Sequence, residues 1–223
     1  MCAKGILYTN SDKPRYLPSF VKRNRLKGTA RKELINSDLG AFSLNPQDIE
    51  EYISPNNELK LEIGFGDGSH LIKRALLEPT TLFIGCEIYL NGIANVLKAI
   101  GRYNIKNVML FNGDARNLLE QVPCNIFTTI YVLFPDPWPK KKHHKRRLVS
   151  LEFLNLLRGK LKTNSSTILI ATDHQDYALY IQRLVENSGI KSVIRKPDDW
   201  IETKYQMKSA ALGLDFKCFL IYK

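Results

Sequence analysis

ELKLEIGFGDG, Glu58 to Gly68, decides the fold. Its first half reads as a buried strand, and the strand runs directly into three glycines. Gly64, Gly66 and Gly68 let the backbone turn sharply and let a ligand come close to it. The spacing is GxGxG. The dinucleotide fingerprint GxGxxG would need a third glycine where Ser69 stands, so that match fails. A glycine turn after a first strand points to a ligand that carries a nucleoside, or else to a plain tight turn.

Outward from this turn the chain alternates. HLIKRALLE reads as a helix, TLFIGCEI as a strand and LNGIANVLKAIGRY as a helix, with Ile93, Val96, Leu97 and Ile100 on one face. NVMLF is a third strand, ARNLLEQV a short helix and NIFTTIYVLF a fourth strand. LVSLEFLNLLRGKL places Leu148, Leu151, Leu154, Leu157 and Leu161 at helical spacing. TILIAT is a fifth strand, and DYALYIQRLVENSG a helix stopped by Gly189. KSVIRK and FKCFLIYK are the last two strands. Strands alternating with helices imply right-handed βαβ units and a parallel sheet. Residues 1–57 lack this periodicity. They read as a basic arm, partly disordered, with a short helix near Asp48–Ile53, in front of one domain over 58–223.

Ligands of such sheets bind outside the carboxyl ends of the strands. Acids stand at five successive ends: Glu62, Glu87, Asp114, Asp136 and Asp173. Glu87 lies 21 residues past Gly66, where a carboxylate accepts the ribose hydroxyls. A pyrophosphate would be repelled by carboxylates around the glycine turn, whereas a cationic ligand is held by them. S-adenosylmethionine has a sulfonium, an ammonium, a ribose and an adenine, and no phosphate. Glu62 is expected at its methionine end, Glu87 at its ribose and Asp114 at its adenine amine. An acid in front of a helix can also simply cap that helix, the reading that suits Asp67 best.

The 223 residues carry a net charge of +11. Residues 1–40 hold nine Lys/Arg against three Asp/Glu, and residues 140–147 hold six Lys/Arg and no acid. Each segment is thus +6, and the rest of the chain sums to −1. Two basic patches on a near-neutral body suggest a polyanion, most simply nucleic acid. No apolar run approaches the roughly 18 residues of a membrane span, and the N-terminus shows no secretory signal. Cys2, Cys86, Cys124 and Cys218 lie far apart, which speaks against a zinc site or a disulfide framework and fits a reduced, cytoplasmic setting.

The second basic patch follows FPDPWP, Phe134 to Pro139. Pro135 and Pro137 fix their own φ and restrict their predecessors, so Asp136 is held stiffly at the end of the fourth strand. Trp138 offers a face for a base, or serves as a core anchor. Lys140, Lys141, Lys142, Arg146 and Arg147 can hold phosphates beside it. His143 and His144 are adjacent and diverge on a helix, so no metal pair is expected.

SFVKR, LEIGFGDG, GCEI, GDA, FPDPWPKKKHHKRRL, ATDHQDYA and TKYQ, spread over residues 19 to 206, together resemble the bacterial tRNA (guanine-N7)-methyltransferase family. The resemblance implies a Rossmann-like class I methyltransferase. Its seven-stranded sheet would be mostly parallel with an antiparallel last strand, with helices on both faces. It implies transfer of a methyl group from S-adenosylmethionine to guanine N7 in the tRNA variable loop, position 46 in tRNA numbering. Glu62, Gly64, Gly66, Glu87, Asp114 and Asp136 would bind the cofactor, with Asp136 also the catalytic carboxylate. Lys140, Asp173, Thr203, Lys204, Tyr205 and Gln206 would bind the guanosine. Gln206 stands where the family usually has Glu. Two alternatives stay open: methylation of another base atom, such as an exocyclic amine, and a tRNA-binding module without catalysis. The residues leave monomer or homodimer open, and they call for no metal.

Overall fold

Alternation of apolar residues and glycine-punctuated ends produces the expected seven strands, β1 (Glu58–Ile63), β2 (Thr81–Glu87), β3 (Val108–Asn112), β4 (Thr129–Leu133), β5 (Thr167–Thr172), β6 (Ser192–Ile194) and β7 (Lys217–Tyr222). The computed structural model describes residues 16–20, 26, 28–54 and 57–223. It joins the strands in one sheet of order 3-2-1-4-5-7-6. β1 to β5 pair in parallel, and β7 runs antiparallel between β5 and β6. The order reverses between β1 and β4, which opens a crevice at their carboxyl ends.

Helices cover both faces. α4 (Ala115–Gln121), α5 (Leu151–Lys160) and α6 (Gln175–Asn187) pack Leu118, Leu154, Leu157 and Ile181 against Leu61, Ile130 and Ile168 of the sheet. On the other face α2 (Ser69–Leu77) and α3 (Leu90–Tyr103) pack Leu71, Ile93 and Leu97 against Phe83 and Tyr131. α5 starts later than its leucine spacing implies. Ser150 caps it, accepting from the Phe153 N–H at 3.2 Å, and Leu148 is left in the loop before it.

Two helices depart from the sequence reading. α1 (Thr29–Phe42) lies within the stretch read as an arm, and Leu34, Ile35, Leu39 and Phe42 pack it onto the α3 side of the core. A 3-10 helix, Pro46–Tyr52, follows where a short helix was expected, with Ile49 fully buried. α7 (Lys204–Ala211) forms between β6 and β7. Residues 1–15, 21–25, 27 and 55–56, which hold seven of the arm's nine cations, lie outside the described residues. Among the described residues no helix is long and apolar enough to cross a membrane. Cys86 and Cys218 are free and buried.

Candidate active site

The crevice is walled by the strand ends in turn. β1 contributes Ile63, Gly64 and Gly66, and β2 contributes Cys86, Glu87 and Ile88. Gly113 and Asp114 follow β3, and Phe134, Pro135 and Asp136 follow β4. Ser19 and Phe20 close one side and Tyr205 of α7 another. The walls contributed by Ser19, Phe20 and Phe134 were not assigned from sequence. The first two belong to the SFVKR piece, which was the only signal for them.

Gly64, Gly66 and Gly68 all have positive φ, at 71°, 59° and 81°, so the turn needs glycine there. A second close approach supports it. A Cβ on Gly92, in the first turn of α3, would stand 1.8 Å from the Gly66 carbonyl oxygen. The helix therefore butts directly against the turn.

Glu87 is buried, and its carboxylate already braces this turn. One oxygen accepts from the Gly66 N–H at 2.8 Å, the other from Ile88 and Tyr89 at 2.7 and 3.0 Å. A carboxylate has about four acceptor sites, so capacity remains toward the cleft. Burial raises the Glu87 pKa above the ordinary value. The three N–H donors oppose that shift and the Asp136 charge adds to it.

Asp114 caps α4 through the Arg116 N–H at 2.9 Å and holds the Arg116 guanidinium at 2.7 Å. Both readings thus apply to it: it is a helix cap and it lines the cleft. The same guanidinium donates to the Leu17 carbonyl at 3.1 Å and lies over the Tyr16 ring, so it also pins the segment that carries Ser19 and Phe20. Asp136 is exposed at the cleft mouth, and among the described residues nothing donates a hydrogen bond to it. Phe134, the residue before Pro135, has φ of 52°, outside the extended region expected there.

Four expected residues stand in settings that the sequence did not show. Glu62 is not among the residues that wall the cleft. Strand alternation sends Leu61 and Ile63 to one face and Glu62 to the other, where it is 3% exposed and meets His70 Nδ1 at 2.8 Å. Arg74 donates to the opposite ring nitrogen at 3.5 Å, which leaves Nδ1 as the donor to Glu62. Arg147 is not free for phosphate. It is 6% exposed, donates to the Pro137 carbonyl at 3.0 Å, pairs with Asp176 and lies over the Tyr177 ring. Trp138 does not offer a bare face. Arg146 lies 5.0 Å over its ring, His143 meets it edge-on, and its N–H donates to the Ser19 carbonyl at 3.0 Å. Arg146 is thereby engaged as well, whereas Lys140, Lys141 and Lys142 are exposed.

Apart from Lys140, which lies exposed beyond Pro139, the expected guanosine-side residues converge on α7. Thr203 caps it, accepting from the Gln206 N–H at 3.1 Å. Lys204 pairs with Asp67 at 2.5 Å, beside the glycine turn. Burial alone would raise the Asp67 pKa, but the Lys204 ammonium and the Ser69 donors outweigh it and hold the carboxyl below its ordinary value. Asp173 accepts from the Ser209 hydroxyl. Tyr205 stacks near Phe134 at 6.4 Å and overlies Gly66. Gln206 accepts from the Trp200 indole at 2.6 Å and so braces the helix, a role that does not need the family's charge. Among the described residues no cluster could hold a metal ion.

The switch-point crevice, the positive-φ glycine turn and the strand-end acids define a Rossmann-like methyltransferase. The Methyltransf_4 family model, described as "Putative methyltransferase", matches residues 56–217. The tRNA (guanine-N(7)-)-methyltransferase of Wolbachia pipientis is 39% identical over 92% of this chain and 90% of its own length. The bifunctional methyltransferase of Rickettsia typhi is 39% identical over 80% of this chain, which spans 35% of that longer protein. Among solved structures, the 16S rRNA methyltransferase KamB superposes with a TM-score of 0.59 over 81% of this chain and 94% of its own, at 16% identity, a likeness of fold. The chain belongs to the tRNA (guanine-N7)-methyltransferase family.

Proposed function

We propose that this chain transfers the methyl group of S-adenosylmethionine to N7 of a guanine in tRNA, in the variable loop at position 46 of tRNA numbering. The observation that carries the reading is the cleft itself. Its walls present Glu87, Asp114 and Asp136 around a glycine turn, and the exposed Lys140 to Lys142 begin four residues past Asp136. Carboxylates there suit a cationic cofactor and disfavour a pyrophosphate.

Gly64 and Gly66 would pass beneath the methionine end, Glu87 would accept from the ribose, and the Asp114 wall would face the adenine. The bound cofactor supplies an electrophilic methyl on a sulfonium. Guanine N7 carries a lone pair and no proton, so no residue need act as a base. Positive charge develops on the guanine ring as the bond forms. Asp136, stiff between two prolines, opposes that charge. An exposed carboxylate is screened by water, so its effect depends on the nucleoside covering it. Glu62 supports the site from behind through His70. Asp173 and the Thr203–Gln206 turn set the guanosine side. tRNA is met in the cytoplasm, where this reading places the protein.

A tRNA transcript made with 7-deazaguanine, which has carbon at position 7, tests the target atom. Methyl transfer to ordinary transcript and none to the deaza transcript is expected. Equal transfer to both would favour methylation of an exocyclic amine, and no transfer to either would favour a binding module.

A further inference from the structure

α2 carries a guanidinium that the reaction does not use. Arg74 is 4% exposed. It donates to the Asp199 carboxylate at 2.6 Å and to the Asp199 carbonyl at 2.9 Å, lies over the Tyr131 ring and reaches His70. Asp199 is the residue before Trp200. From Trp200 a row of rings runs to the cleft. Trp200 lies 5.1 Å from Phe216, Phe216 lies 5.8 Å from Phe134, and Phe134 lies 6.4 Å from Tyr205 at an interplanar angle of 19°. Phe134 and Tyr205 are themselves cleft walls. The Trp200 indole N–H also holds Gln206, the neighbour of Tyr205.

The row is thus fixed at its far end by an ion pair and at its near end by the first turn of α7. Few apolar contacts hold that helix, since Ser209 is its single buried residue. Its place depends on such tethers.

We infer that Arg74, Asp199 and Trp200 are positioning residues for the guanine: they hold the aromatic wall of Phe134 and Tyr205 against which the base stacks. This rests on the proposed function, since it assumes that a planar purine enters beside Asp136. Stacking on aromatic rings is how bases outside a duplex are commonly held. Asp199 is mostly exposed apart from this pair, so replacing it should not unfold the protein.

Asp199→Ala should raise the KM for tRNA by about tenfold, the size of one missing charged hydrogen bond, and Trp200→Phe, which removes the neutral bond to Gln206 and keeps a ring, by about threefold to tenfold. The kcat should change by less than about threefold and cofactor affinity by less than about twofold. Asp199→Glu should recover most of the KM effect, which a general loss of stability would not allow. In a Trp138→Phe background Trp200 is the remaining tryptophan. Its emission should then shift when Asp199→Ala is added, with no substrate present. A wild-type protein that forms no 7-methylguanosine would defeat the functional reading and leave the emission result standing. A wild type that forms it, beside variants with unchanged KM, would overturn the positioning role alone. An unshifted Trp200 emission would overturn it in either case.

Discussion

Asp136 and Glu87 face the same cleft and are expected to fail in different ways. Asp136 has no donor among the described residues and sits at the mouth, so its charge is available to the reacting ring. Asp136→Asn keeps the shape and removes the charge. Turnover should fall by roughly 10²–10³, the size of losing one electrostatic stabiliser. Cofactor and tRNA should still bind within about tenfold, because the effect is greatest in the transition state. Single-turnover rates at saturating substrate check this, and a near-normal rate would remove the electrostatic role. Glu87, in the proposed reading, instead holds the cofactor in the ground state. Glu87→Ala should weaken cofactor binding by roughly tenfold to a hundredfold, with tRNA affinity kept. Its raised pKa gives this residue a pH signature. The native state binds the Glu87 proton more tightly than the unfolded chain does. The associated stability is therefore present below the unfolded pKa and is lost as pH rises through the folded one. Cofactor binding runs the opposite way, because only the ionised carboxylate accepts both ribose hydroxyls. Affinity should decline on acidification at a higher pH than an ordinary glutamate would give. Calorimetric titration between about pH 4 and pH 8 would show it.

At the scale of elements, contacts between segments matter more than propensities. α3 approaches the glycine turn without any side chain between them. Gly92→Ala would drive a methyl into the Gly66 carbonyl, and the turn or the helix must move. Such overpacking destabilises by about 1–3 kcal/mol, and cofactor affinity should fall with it. Thermal unfolding and cofactor titration of that one variant test both, and an unchanged pair of values would mean that the turn yields freely. The basic block divides by burial. Arg147 is a strut: Arg147→Ala would leave the Pro137 carbonyl without its donor, a loss of roughly 1–3 kcal/mol, with little effect on the salt dependence of tRNA binding. Replacing the exposed Lys141 and Lys142 should do the reverse. For every phosphate that a lysine no longer neutralises, the log–log salt slope should flatten by about 0.7–0.9, with unfolding temperature unchanged. Binding isotherms across a salt series separate the two classes.

The same scale explains what the sequence did not disclose. The strands were legible because Leu59, Leu61, Phe83, Ile84, Ile168 and Ile170 form apolar runs that only a two-sided core accommodates. α1 has no fully buried residue, and the Gly28 before it makes no side-chain cap. α7 is held by Lys204–Asp67, Ser209–Asp173 and Gln206–Trp200, contacts between segments far apart in the chain or bridged by a loop. α7 has no apolar stripe to announce it, and that of α1, Ile35, Leu39 and Phe42, is only two turns long. The acids at the strand ends could be read from the chain, but not the direction each one faces. Glu62 stands within the strand, two residues short of the glycine turn, and its His70 partner becomes visible only once α2 is folded. Arg147 reads as one more cation until α6 supplies Asp176 and Tyr177.

Across the whole molecule, charge and cleft serve one task. The body is near neutral apart from its two basic segments, and the exposed lysines begin where the fourth strand delivers Asp136. A polyanion drawn to those lysines is brought to the mouth of a cleft whose own walls are acidic. That gradient favours a substrate with phosphates on its outside and a base that becomes cationic within. The most direct measurement is nucleoside analysis by mass spectrometry of unmodified tRNA treated with the protein and S-adenosylmethionine carrying a deuterated methyl group. The account predicts label in 7-methylguanosine and in no other nucleoside. Label in an exocyclically methylated base, or in none, would contradict it.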